Sequence, residues 1–167
     1  MKKILLVQIN KVDRLILQSI VDVLLERKFS VNIFPEIFHI SINAYDWNED
    51  KYISDIILKK FQSRFNNFPF DIIIGITDID INNTDNFYMK NGNIAIIPIK
   101  NIFNKNNVNL SIERINKIIF YIIGMYSGID NCKNYCIMKG FKNIEELDSL
   151  PLDYCDSCMT RIKQNNY

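Results

Sequence analysis

Cys132, Cys136, Cys155 and Cys158 are the four cysteines of the chain, and they are spaced as two knuckles: C-x3-C, eighteen intervening residues, then C-x2-C. Two such pairs can close a tetrahedral site of four thiolates around one Zn(II), which leaves no coordination position open and so is structural rather than catalytic. Four thiolates leave a net negative charge, and Lys133, Lys139, Lys142 and Arg161 lie close enough in sequence to offset it. The competing readings are a redox-active Cys155/Cys158 dithiol and four inert buried thiols. A redox C-x-x-C opens a helix after a strand. Here Cys155 follows Pro151-Leu-Asp-Tyr154 in a polar tail, so one structural zinc is the expectation.

Other residues with chemical potential are sparse. The single histidine, His39, follows Pro35 on an expected loop, and one histidine without a partner is more often solvated or hydrogen-bonded than a ligand. Thr77-Asp78-Ile79-Asp80 ends an apolar run and offers two carboxylates that acid-base work or Mg binding could use. Glu145, Glu146 and Asp148 read as the solvated face of a short helix.

The elements that hold these residues follow from periodicity. Residues 3–9 are β-branched and apolar, and residues 12–27 repeat apolar side chains at Val12, Leu15, Ile16, Ile20, Val23 and Leu24, so a strand precedes an amphipathic helix. A second strand is expected at 31–34, ended by Pro35, and a second helix at 48–64. That βαβα order implies a mostly parallel sheet with crossover helices. Residues 70–77 form a continuous apolar run, the mark of a strand buried on both faces, whereas 86–90 and 93–99 flank Asn91-Gly92 as an edge hairpin. A loop at 101–109 leads to a helix that Ser111 and Glu113 open and that runs to about Ser127, apolar all round from 118 to 123 and therefore buried. After Gly128 the chain becomes short-segmented and polar. A single domain results, with a sheet-and-helix part at 1–128 and a four-cysteine tail at 129–167.

Composition sets the outer limits. With 167 residues, 48% hydrophobic and 12% aromatic, the chain can bury a substantial core. The net charge of +1, with both signs interspersed, gives no footprint for nucleic acid or a membrane surface. The opening MKKILLVQINK is interrupted by Gln8, Asn10 and Lys11, so it reads as a strand and not a signal. The apolar stretch 118–123 is too short to span a bilayer, which takes about 20 residues. The expectation is a soluble cytoplasmic protein whose thiols stay reduced.

Tyr121-Ile-Ile-Gly124-Met125-Tyr-Ser-Gly128-Ile-Asp-Asn131 has the frame of the zinc helix HExxHxxGxxH without its ligands. Tyr121, Ile122, Met125 and Asn131 stand where His, Glu, His and His would be. Around this frame the chain resembles the archaemetzincins, a family of small zinc proteins in the metzincin metallopeptidase clan. The likeness covers KKILLVQI, Ala44-Tyr45 with Tyr52 and Ile57-Leu58, Ile74-Gly-Ile-Thr-Asp-Ile-Asp80, Asn86-Phe87, Glu113-Arg114, and the tail with Cys136-Ile-Met138 and Cys155-x-x-Cys158.

The resemblance implies an α/β fold with a metzincin-like twisted mixed sheet, an antiparallel edge strand above a cleft, packed helices and a C-terminal four-cysteine zinc-knuckle subdomain. It also implies a catalytic zinc on three histidines, which this sequence departs from, and a structural zinc on four cysteines, which it keeps with a first spacer one residue shorter. Met138 matches the family's Met-turn; with no metal above it, a packed core methionine is expected. Tyr, Met and Asn do not make a competent zinc site, and Ile122 cannot take a proton from water. The expectation is a pseudoenzyme holding one Zn(2+), with no catalytic residue at Tyr121, Ile122, Met125 or Asn131 and an extended peptide as its partner. A metallopeptidase with an unrecognised metal arrangement and a thiol redox or metal-responsive switch are the alternatives.

Overall fold

The computed structural model describes residues 2–82 and 87–164. Asn86, expected in the edge hairpin, lies outside them. The chain divides into two compact units, Lys2–Asn101 and one that begins at Ile102. Among the described residues no helix is long and apolar enough to cross a membrane.

The first unit is built on a five-stranded sheet in the order β2-β1-β5-β7-β6. Strand β1 (Lys3–Ile9) leads through helix α1 (Arg14–Glu26) to β2 (Ser30–Ile33), which returns parallel to it. On its other side β1 pairs in parallel with β5 (Ile72–Thr77), and β5 with β7 (Ile94–Pro98). Only β6 (Met89–Asn91) runs antiparallel, joined to β7 through Gly92 at φ 57, so the Asn-Gly signal and the antiparallel edge strand both match the expectation. All six residues of β5 are buried. Gly75 lets the layers close here, because a Cβ at that position would lie 3.1 Å from Phe61 Cζ and closer still to Ile9. Helix α2 (Ser54–Phe65) contributes Ile57, Phe61 and Phe65 to the core, where Phe34, Phe38 and Phe68 pack against them and Arg64 lies over three of the rings.

Helix α2 begins six residues later than its apolar period suggests. The intervening chain forms a small antiparallel hairpin of β3 (Tyr45–Asp46) and β4 (Lys51–Tyr52). Asp46 Oδ1 accepts the backbone N–H groups of Asn48 and Glu49, and the Tyr45 hydroxyl donates to Asp50, which sits at φ 54. Side chains that capture backbone donors locally offer the chain an alternative to helix. The Tyr45 ring stacks edge-on against Trp47 and Tyr52 and fixes the hairpin. At the end of β5, Thr77 Oγ1 accepts the Ile79 N–H at 3.3 Å and Asp80 pairs with Lys100 at 3.0 Å, and these two contacts hold the segment as a turn.

The second unit carries helices α3 (Val108–Tyr126), α4 (Ile144–Ser149) and α5 (Asp156–Gln164), with a 3-10 turn at Ile137–Lys139. Helix α3 starts three residues before Ser111 because Asn107, not Ser111, is the cap: its side chain accepts the Leu110 N–H at 3.0 Å. Ser111 is buried in the first turn and ties down Asn104 instead. Residues 115–120 and 122–124 are buried, whereas Tyr121, inside the run expected to be buried throughout, is only half-buried. Among them Lys117 is 1% exposed; its ammonium pairs with Glu113 at 2.7 Å and donates to the Asp148 carbonyl at 3.2 Å. Arg114 holds the Asp148 carboxylate with two hydrogen bonds.

Candidate metal centre and adjoining cleft

Helix α3 carries Tyr121, Ile122 and Met125 and then stops abruptly. Gly128 has φ 75, its N–H reaches the Met125 carbonyl at 2.9 Å, and the Ile129 N–H reaches the Gly124 carbonyl at 3.1 Å. These are the two bonds of a Schellman cap, which needs a left-handed residue at this position and so favours glycine. Asn131 follows at φ 41, a conformation asparagine tolerates better than most side chains. The chain then turns so that the Cys132 N–H meets the Met138 carbonyl at 2.8 Å.

Gly124 has a different reason for being glycine. A Cβ built there would lie 2.8 Å from Met138 Cε and closer still to its sulfur. Met138 is 1% exposed, a core side chain packed against the bare turn of α3.

Tyr121, Ile122, Met125 and Asn131 part company. Ile122 is wholly buried, and Met125 is half-buried. Tyr121 and Asn131 instead line one cavity of about 480 Å³. Lys139, Gly140, Phe141 and Lys142 form another part of its wall, with Glu146, Ser149 and Leu150 from helix α4 and its end. Tyr121 packs edge-on against Phe141 at 5.2 Å between ring centres and lies over Gly140, whose φ is 80. Burial, and secondarily the negative charge of Asp130, push the Tyr121 phenol above its ordinary pKa, so it stays protonated and can donate.

The cysteines converge. One Sγ from each of Cys132, Cys136, Cys155 and Cys158 lies within 4.8 Å of the others, with Cys132 and Cys155 at 3.6 Å. Tetrahedral zinc with bonds of about 2.3 Å sets its sulfurs about 3.8 Å apart, so the donor set and its spacing fit one Zn(II). Cys132 and Cys136 flank the turn after α3, whereas Cys155 precedes α5 and Cys158 lies in its first turn. The Cys155 N–H donates to Cys136 Sγ at 3.3 Å, an amide-to-sulfur bond that joins the knuckles. Tyr154 locks the second knuckle to α3: it is buried, and its hydroxyl donates to the Phe120 carbonyl at 2.5 Å.

The thiols differ without metal. Cys155 is pulled down to about 5, first by the Ser157 hydroxyl at 3.2 Å and then by the Asn134 amide at 3.5 Å. Burial raises Cys136 and Cys158 instead. One sulfur is thus ready as a thiolate, and the two buried ones surrender protons only when a cation replaces them.

The cations distribute otherwise than the sequence suggests. Lys133 and Arg161 line a smaller cavity of about 170 Å³ beside Cys132 and Cys158, where they can offset thiolate charge. Lys139 and Lys142 line the Tyr121 cavity. His39 is exposed in the other unit. Of the acidic trio, Glu146 accepts the Lys142 N–H at 2.7 Å and Asp148 binds Arg114, so these two are partnered rather than merely solvated. Asn134 and Ser157 were not visible as thiolate partners from sequence; a hydroxyl between the two cysteines of C-x-x-C is the one local signal. Helix α5 was also missed, its period resting on two buried residues, Cys158 and Ile162.

The family model of peptidase family M54 matches residues 1–164. Over 175 aligned residues, covering 99% of each chain, the sequence is 29% identical to the archaemetzincin of Sulfolobus acidocaldarius. Two crystal structures of archaemetzincins share the fold. That from Methanopyrus kandleri superposes with a TM-score of 0.76 at 19% identity, covering 99% of this chain and 96% of the other. That from Archaeoglobus fulgidus gives 0.75 at 20% identity, covering 95% and 99%.

Proposed function

This chain belongs to peptidase family M54, the archaemetzincin family, and we propose that it is a member without peptidase chemistry that keeps one structural zinc on Cys132, Cys136, Cys155 and Cys158 and uses its cleft to bind an extended peptide. The supporting observation is Ile122. At the position where the family motif places a general base stands a wholly buried hydrocarbon, and zinc hydrolysis needs a base beside a metal-bound water and three protein ligands. The space beside it persists: Tyr121 and Asn131 border a cavity of about 480 Å³ where zinc-binding histidines would stand. Peptide recognition through backbone hydrogen bonds and side-chain pockets does not require the metal. A reducing compartment such as the cytoplasm suits four unpaired thiols.

The test is chelator-sensitive cleavage of a mixed peptide library by homogeneous protein, compared with a Tyr121→Ala, Met125→Ala double mutant. No cleavage by either protein is expected. Cleavage by the unmodified protein that vanishes in the mutant would return the chemistry to this helix.

The 3.6 Å separation of Cys132 and Cys155 sulfurs favours a second reading, a thiol switch. Zinc-loaded protein that forms this disulfide in a glutathione buffer at cytosolic poise, with release of zinc, would support it.

A further inference from the structure

We propose that the Tyr121 cavity is a carboxylate-binding site, selecting peptide segments that present a C-terminal carboxylate or an Asp or Glu side chain; this rests on the peptide-binding reading above. Among the described residues, two ammonium groups, Lys139 and Lys142, line the cavity against one carboxylate, Glu146. Among the described residues neither lysine has an ion-pair partner within 4.0 Å. Glu146 is already committed, its Oε2 accepting the Lys142 backbone N–H at 2.7 Å as part of the cap of α4. The local balance therefore favours an anion. Asp130 is close enough to act on Tyr121 but does not line the cavity.

The remaining wall suits an anion carried on an organic group. The Asn131 amide offers donors to it. The Tyr121 and Phe141 rings, held edge-on, present an apolar surface on which a side chain or the last peptide unit can rest. Charge-assisted hydrogen bonds to a carboxylate are about twice as strong as neutral ones, so the lysines discriminate a free acid from its amide. A volume of about 480 Å³ falls in the range of small-ligand pockets.

The experiment measures binding of fluorescein-labelled random decapeptide pools to the zinc-loaded full chain. Three pools are compared: free-acid peptides without Asp or Glu, the same pool C-terminally amidated, and an amidated pool with one central Glu. The free-acid pool is expected to bind about tenfold more tightly than the plain amide at low salt, with the advantage shrinking as salt rises. The Lys139→Gln, Lys142→Gln double mutant should lose that preference while its melting temperature is unchanged, because both side chains are exposed. Matching affinity of the central-Glu pool would identify a side-chain carboxylate as sufficient; binding of the free-acid pool alone would identify the chain end. Equal binding of acid and amide overturns the carboxylate assignment and leaves the peptide-binding reading intact. A preference that survives the double mutation overturns the placement in this cavity. Failure of every pool to bind overturns both.

Discussion

The sulfur of Met138 occupies the volume above Gly124 that any other residue would fill with its Cβ. Helix and 3-10 turn are thereby fitted to each other at one atom's resolution, and the fit yields a coupled prediction. Gly124→Ala gains about 1 kcal/mol of helix propensity but overpacks a buried site, which costs about 1–3 kcal/mol. Net destabilisation is expected. Met138→Ala should cost clearly less in the Gly124→Ala background than in the wild type, because the first substitution has already displaced the thioether. Additive melting data from the double-mutant cycle would show that the two residues do not compete for one space.

Elemental analysis of protein purified without added metal should find one zinc per chain, removed by Cys155→Ser or Cys158→Ser. Structural zinc in small cysteine-rich peptides contributes an apparent value of about 10–16 kcal/mol near neutral pH. Loss of the ion should therefore speed amide hydrogen exchange across the turn at Ile137–Lys139 and helix α5 and lower the melting temperature. Wild-type melting and wild-type metal content in both serine mutants would identify the thiols as inert.

Zinc affinity should rise with pH. Burial raises the Cys136 and Cys158 thiols above their ordinary pKa, so they are protonated at neutral pH in the metal-free chain and must release protons on binding. Cys155, near 5, is already a thiolate there and contributes little to the pH dependence at neutrality. Calorimetric titration in buffers of different ionisation enthalpy measures the release directly. A proton count of zero near pH 7 would contradict the buried-thiol picture.

Asp148→Asn should destabilise the second unit by about 1 kcal/mol at pH 7, the order expected of a bidentate, partly exposed guanidinium pair. Arg114 holds the Asp148 carboxyl below its ordinary pKa. A depressed folded-state pKa contributes stability that is complete above the unfolded value of about 4 and is lost as pH falls through the folded one. The difference between wild type and mutant in urea midpoint should accordingly shrink below about pH 4. A difference that stays constant as pH falls from about 7 to well below about 4 would mean that the substitution disturbs packing rather than charge.

Much of the first unit was legible because its signals are local. The uninterrupted run through β5 and the Asn91-Gly92 turn each predict a single outcome. The start of α2 was not legible, since the apolar period continues through a stretch where Asp46 and Asp50 divert the backbone into a hairpin. The cysteine cluster could be read from spacing alone, whereas its surroundings could not. Lys139 and Lys142 follow Cys136 by three and six residues, and the turn after Met138 sends them to the other cavity. The Arg114–Asp148 pair spans 34 residues and leaves no trace in any local pattern.

The sheet order has a consequence for how the molecule assembles. Strand β1 is paired on both sides, yet one of its two partners, β5, begins 68 residues downstream in the pairing that places Asp71 beside Lys3. Closing that span must precede the contacts that reward it, so formation of the parallel sheet is the slow event and its rate is set by chain length between partners. The helices beyond Ile102 depend mostly on nearer neighbours. During synthesis an apolar β1 leaves the ribosome long before β5 can pair with it, and in that interval one of its edges lacks its native partner.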